Sequence, residues 1–139
     1  MKPKRGFIFL KTVVMQKGSF MLSKFKKQIF YVQIKENSFI VRCANSGKSV
    51  SLDADTPFSS GHLLVGEFNI AEKLLRQAFK DLQESWLRPI AIMHPLELIG
   101  EKLSDVEERV LQELALSAGA RDVKLWIGQE LTDEEILNA

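Results

Sequence analysis

The spacing of hydrophobic residues changes about halfway along this chain, from a period of two to a period near 3.6. Residues 29–34, 39–43 and 48–52 are short aromatic and β-branched runs, and the segments 35–37 and 45–47 between them are rich in turn-forming residues. Runs of this length separated by such turns predict a β-meander of three strands. Cys43 lies inside the second run and is expected in the core.

Apolar residues at helical spacing follow over two longer stretches. The first predicted helix covers residues 69–83, with Asn69 as its cap and Glu72 at the third helical position. The second covers residues 104–118, where Ser104 and Glu107 form a capping box. Its apolar stripe consists of Val106, Val110, Leu111, Leu114 and Ala118. Gly119 is expected to end it in a left-handed conformation.

Two further apolar runs, residues 89–93 and 123–127, flank the second helix and predict parallel strands of a βαβ unit. A third capping box at Thr132 and Glu135 predicts a short final helix. The element order is therefore βββαβαβα. We predict an α/β protein with a mixed five-stranded sheet, in the order of the ribonuclease H-like, or actin-like, fold.

Composition narrows the class of protein. The 139 residues are 45% hydrophobic and 27% charged, which is ordinary for a single globular domain. The net charge of +1 argues against a nucleic-acid partner, and one cysteine is compatible with a reducing cytoplasm. No run approaches the roughly 18 apolar residues of a membrane-spanning helix. We expect one domain over residues 28–139, in the cytoplasm.

Residues 1–27 form a basic lead-in before that domain. The chain has no acidic residue before position 36, and Met21 is a candidate second start. Residues 21–30 predict a small basic amphipathic helix that binds an anionic membrane surface weakly, on the inner face of the membrane. Its candidate residues are Leu22, Lys24, Phe25, Lys26, Lys27 and Ile29. A solvated or disordered lead-in to the first strand is the alternative.

The segment SDVEERVLQELALSAGARDVKLW resembles the first lobe of MreB, the bacterial actin-like rod-shape protein. Within residues 21–127 the matching positions are Gly61, Phe68, Glu72, Leu75, Pro95, Ser104, Val106, Glu107, Arg109, Ala118, Gly119, Ala120, Arg121, Val123 and Leu125. The resemblance implies a single actin-like lobe that takes part in cell shape or the cytoskeleton. Its implied partner is a protein, either an actin-like filament protein or a second copy.

The chain departs from that family where nucleotide is bound. The family's first phosphate loop is Asp-Leu-Gly-Thr-x-Asn-Thr, whereas this chain has Gln33 in place of the aspartate and Lys35 in place of the glycine. Gln33 supplies no carboxylate, and Lys35 hinders the approach of backbone amides to a phosphate. We also expect this chain to lack the family's second lobe. The expectation is a non-catalytic domain without catalytic residues, metal or cofactor.

Three alternatives stay open. One is a ribonuclease H-like enzyme, either a metal-dependent nuclease or an ATPase fragment, in which Asp53, Asp55, Glu97 and Glu101 gather at the strand ends. Another is half of a split actin-like ATPase, and the last is a decayed gene product. His94, near Glu97, lies where such a site belongs, but we expect it to be a loop residue before Pro95.

Overall fold

The computed structural model describes residues 26–59, 64–96 and 103–138. The strands are β1 (Ile29–Lys35), β2 (Ser38–Cys43), β3 (Ser49–Asp53), β4 (Ile90–Pro95) and β5 (Asp122–Leu125). Within these ranges the helices are α1 (Phe68–Leu82), α2 (Asp105–Ala118) and α3 (Asp133–Leu137). The predicted element order is confirmed, and so is the α/β class.

The strands form one mixed sheet in the order β3-β2-β1-β4-β5. The first three strands are antiparallel neighbours, as the meander predicted, while β4 pairs in parallel with both β1 and β5. The first hairpin turns on Asn37, whose φ of 57° is left-handed and which lies between the paired residues Lys35 and Ser38. Asparagine tolerates that conformation better than most residues.

Strand β1 is at the centre of the sheet and is covered on both faces. Phe30, Val32 and Ile34 point into the main core beneath α1 and α2, where Cys43 also lies buried. Tyr31 and Gln33 point to the opposite face, here called the second face. All five residues from 30 to 34 are at most 6% exposed. A strand without an exposed face places its polar side chains among buried neighbours.

The two longer helices pack on the main-core face, but α1 begins earlier than predicted. Its cap is Glu67, which makes no side-chain capping bond, so the predicted Asn69 cap is wrong. The backbone amides of Gly66 and Glu67 both donate to the Phe58 carbonyl, at 2.7 and 2.8 Å. These tertiary bonds fix the start of the helix upstream of the best local cap.

Helix α2 confirms the predicted capping box, in which Glu107 N donates to Ser104 Oγ at 3.2 Å. Gly119 ends the helix with a φ of 126°, as expected for a glycine stop. The buried positions are Leu111, Leu114, Ala115 and Ala118. Val106 is 67% exposed, so its place in the apolar stripe was predicted wrongly. It lies in the first turn of α2, before the buried positions of the helix begin.

The basic lead-in lies almost wholly outside the described residues, including Leu22, Lys24 and Phe25. Lys26 and Lys27 are exposed, and Ile29 belongs to strand β1 rather than to a surface helix. Among the helices that the structure describes, none combines the length and apolarity needed to cross a membrane.

Candidate functional site

The C-terminal segment folds back across the second face of the sheet. We call residues 126–138, which include α3, the strap. It leaves the sheet after β5, where Trp126 N donates to the Met93 carbonyl at 2.9 Å. Ile136 of α3 is 1% exposed and packs with Tyr31, Ala44 and Ile92 in a small second core. The strap therefore covers the face on which Tyr31 and Gln33 lie.

A buried chain of hydrogen bonds joins the strap to the two central parallel strands. His94 stands beside Gln33 in the β1–β4 ladder, and its ring is 2% exposed. Nε2 of His94 lies 3.0 Å from the Gly128 carbonyl, and Nδ1 lies 2.5 Å from the Tyr31 hydroxyl. A carbonyl oxygen only accepts, so Nε2 carries the proton. Nδ1 of the neutral ring then accepts from the Tyr31 hydroxyl.

The Tyr31 hydroxyl also forms a hydrogen bond with the strap. The backbone N–H of Leu131 donates to the Tyr31 oxygen at 3.1 Å, so this hydroxyl accepts from the strap while it donates to His94. The Gln33 side chain lies close enough to act on the pKa of Tyr31, which it lowers against the larger effect of burial. The Tyr31 hydroxyl is satisfied by these two bonds, which is what its burial requires.

Burial sets the charge state of both ionisable groups in the network. It lowers the pKa of His94, against smaller raising effects from the Gly128 carbonyl and the negative charge of Glu130. It also raises the pKa of Tyr31, chiefly because a buried phenolate loses its hydration. At neutral pH the network therefore contains a neutral imidazole and a neutral phenol.

Arg42 of β2 clamps the strap from the other side of Tyr31. Its Nε donates to Asp133 Oδ1 at 2.6 Å and its Nη2 donates to the Leu131 carbonyl at 2.8 Å, while Glu130 lies 3.7 Å from Nη1. The guanidinium also lies over the Tyr31 ring, 5.2 Å from its centroid. Both backbone groups of Leu131 are thus held by side chains of the sheet.

The network is buried in this conformation. Tyr31 is fully buried and His94 nearly so, and each is already bonded to the strap. The prediction that His94 is a loop residue is wrong, because it lies within β4.

The carboxylates weighed for a nuclease are not assembled by the described residues. Asp53 ends the edge strand β3 and Asp55 follows it, whereas β1 and β4 lie toward the centre of the sheet. Glu97 and Glu101 lie outside the described residues, as does His62. In the described part of the chain, no three histidine, cysteine or acidic side chains are grouped to hold a metal ion.

A small apolar pocket of about 30 Å³ lies at the start of α2. It is lined by Leu64, Val65, Leu103, Val106, Glu107, Val110 and Leu111. Sites for small molecules are usually about 300–1,000 Å³. This pocket is roughly ten to thirty times smaller, so it is not a ligand site of that class in this conformation.

Comparison with known proteins gives a relative. No family model matches the chain. The uncharacterized protein YjaA of Escherichia coli (strain K12) is 35% identical over 98 residues, covering 65% of this chain and 76% of YjaA. The chain belongs to the YjaA family.

Sequence patterns missed most of this network. The sequence marks Gln33 only as a replacement for a family aspartate. No local pattern marks Tyr31 or Arg42 as members of a network. The available signal was the order Phe-Tyr-Val-Gln-Ile in β1, where two polar groups share one face of a strand that the sheet buries on both sides. Such a pattern predicts buried polar partners without saying where they come from.

Proposed function

We propose that the chain is a non-catalytic interaction domain with a single actin-like, ribonuclease H-like lobe, acting with the cell-shape machinery in the cytoplasm. The observation that carries this proposal is the environment of Gln33. The residue at the position of the family's phosphate-loop aspartate is a buried amide, on the same face of β1 as Tyr31. A lobe built in this way presents its outer surface and not a nucleotide cleft.

The sheet order supports the proposed architecture. An antiparallel meander followed by two parallel strands, in the spatial order 3-2-1-4-5, is the arrangement expected of a ribonuclease H-like lobe. The segment with the strongest resemblance to MreB, Ala118 to Arg121, forms the turn between α2 and β5. Within it Gly119 has a φ of 126°, a conformation that disfavours other residues.

The exposed surface of the lobe favours protein contact over catalysis. Trp126 and Ile127 follow β5 and are 37% and 49% exposed, and Val106 and Leu116 of α2 are 67% and 48% exposed. Exposed tryptophan is common among the residues that contribute most to binding at protein interfaces. The proposed partner is an actin-like filament protein, and the alternative partner is a second copy of this chain.

Co-sedimentation tests the partner directly. The purified chain is mixed with polymerised MreB from the same organism and centrifuged, with unpolymerised MreB and buffer alone as controls. We expect the chain in the pellet only when filaments are present. A chain that stays in the supernatant with filaments, and also remains a monomer by sedimentation velocity, would remove both proposed partners.

Nucleotide binding is expected to be absent. Millimolar ATP with magnesium should leave the melting temperature unchanged, because Gln33 lacks the carboxylate and Lys35 replaces the glycine. A ligand at 100 times its dissociation constant would add about 2.7 kcal/mol. For a domain of this size that is a rise of several degrees, at about 2–4 °C per kcal/mol. Such a rise in a thermal melt would instead favour half of a split ATPase.

A further inference from the structure

We propose that the strap is a latch that opens on mild acidification, with His94 as the proton-sensitive contact. Opening uncovers the second face of the sheet, while the rest of the domain stays folded. The inference is independent of the proposed actin-like function. It rests on the bonds that hold residues 128–133, which converge on three side chains of the sheet: Tyr31, Arg42 and His94.

The latch is mostly polar, and its apolar contribution is small. Of the strap's side chains, Ile136 is buried and Leu131 is partly buried, whereas Trp126, Ile127 and Leu137 are exposed. The main core lies on the other face of the sheet, beneath α1 and α2. Loss of the strap therefore uncovers Tyr31 and Ile92 without opening the main core. Segments with few buried apolar contacts open at lower free-energy cost than the whole domain.

A proton on His94 changes the network at one atom. Nε2 donates to the Gly128 carbonyl whether the ring is neutral or charged, but Nδ1 turns from acceptor into donor. The Tyr31 hydroxyl can then no longer donate to it, and its oxygen faces two N–H donors, from His94 and from Leu131. The hydroxyl hydrogen must turn away from His94, and a cation is buried beneath the strap.

Charges around the ring do not cancel that cation. Arg42, from β2, adds positive charge, and Lys124 of β5 stands beside Ile92 on the same face as His94. From the strap, Asp133 and Glu130 pair with Arg42, and the attraction of Glu130 for the charged ring is smaller than the effect of burial. From β1, Tyr31 and Gln33 are neutral. Opening the strap gives His94 access to water, so protonation and opening favour each other.

The sign of the pH effect follows from these contacts. The pKa of His94 is lowered in the latched state, so the open state binds more protons. The latch is at full strength above the ordinary histidine pKa of about 6.5 and weakens as pH falls below it. Coupling to one proton changes an opening equilibrium by at most about tenfold per pH unit.

Amide hydrogen exchange of the full chain, measured between pH 8 and pH 5 and corrected for intrinsic rates, tests the latch. We expect protection of residues 129–137 to fall below pH 6.5, by up to about tenfold per pH unit. Protection of β1 and β4 should stay constant over the same range. His94→Gln keeps a donor for the Gly128 carbonyl and cannot ionise, so its strap should show no such dependence.

Two matched variants isolate His94. His62→Gln removes the other histidine, and Asp133→Asn removes a carboxylate from the Arg42 clamp; both should retain the response to acid. Strap protection that is constant with pH in the wild type would overturn the proposal. Loss of protection in the strap and in β1 at the same pH would also overturn it. So would a response to acid that survives in His94→Gln.

A direct titration keeps the inference testable if His94→Gln does not fold. The imidazole carbon signals of the wild-type chain, labelled in histidine, should show one residue titrating below 6.5, with its midpoint in the range where strap protection falls. The His62→Gln variant assigns that signal. A His94 signal that titrates at or above 6.5 would refute the latch.

Discussion

Leu114→Ala is expected to lower the free energy of unfolding by roughly 2–5 kcal/mol. Leu114 is fully buried in the face of α2 that packs on the sheet, within the main core. Removing most of its side chain loses the transfer free energy of the deleted groups and leaves a cavity that neighbours fill only in part. Domains of this kind are stable by only about 5–15 kcal/mol. The loss is therefore a large fraction of the total.

Val106→Ala is the matched control in the same helix. Sequence periodicity placed both residues on one stripe, but Val106 is 67% exposed and Leu114 is fully buried. Truncation at an exposed position usually changes stability by less than about 0.5 kcal/mol. Urea denaturation of Leu114→Ala, Val106→Ala and the wild type compares their free energies of unfolding. Equal midpoints for Leu114→Ala and wild type would mean that the packing face of α2 is assigned wrongly.

Tyr31→Phe is expected to cost about 1–3 kcal/mol. The ring keeps its volume, so no cavity forms in the second core. What is lost is the hydroxyl, which leaves Nδ1 of His94 without its donor and the Leu131 N–H without its acceptor. Removing one partner of a buried hydrogen bond costs the desolvation of the group that remains.

Ser51→Ala serves as the control for Tyr31→Phe, since it deletes an exposed hydroxyl from the edge strand β3 of the same sheet. It should change the urea midpoint little, within about 0.5 kcal/mol. Hydrogen exchange on Tyr31→Phe should show the loss concentrated in the strap. If Tyr31→Phe is as stable as wild type, the hydroxyl does not bridge the strap and the sheet as described.

The elements themselves were predictable because their signals are local. The capping boxes at Ser104 and Thr132 form between residues three apart, and both are present in the structure. The Asn37 turn and the Gly119 stop each depend on the backbone freedom of one residue. The order of strands then allowed few sheets, since a βαβ crossover places its strands in parallel.

Local signals gave wrong predictions where contacts between residues far apart in the chain determined the structure. Asn69 is a good cap in isolation, yet two bonds from residues 66 and 67 to the Phe58 carbonyl moved the start of α1 upstream. Val106 has the right spacing for the α2 stripe but lies in the first turn, beyond the buried stretch from Leu111 to Ala118. Periodicity gives the direction of a side chain and not the extent of the surface opposite it.

The sequence by itself determined the kind, order and approximate bounds of the elements, together with the absence of a carboxylate at position 33. Only the tertiary structure decided what Gln33, Tyr31 and His94 do. His94 meets Tyr31 across 63 positions of the chain, and Leu131 meets it across 100. Local spacing carries no record of such contacts, because they form only when strands pair and the strap returns. Burial then makes those partners obligatory, since a polar group removed from water must bond to whatever the fold brings to it.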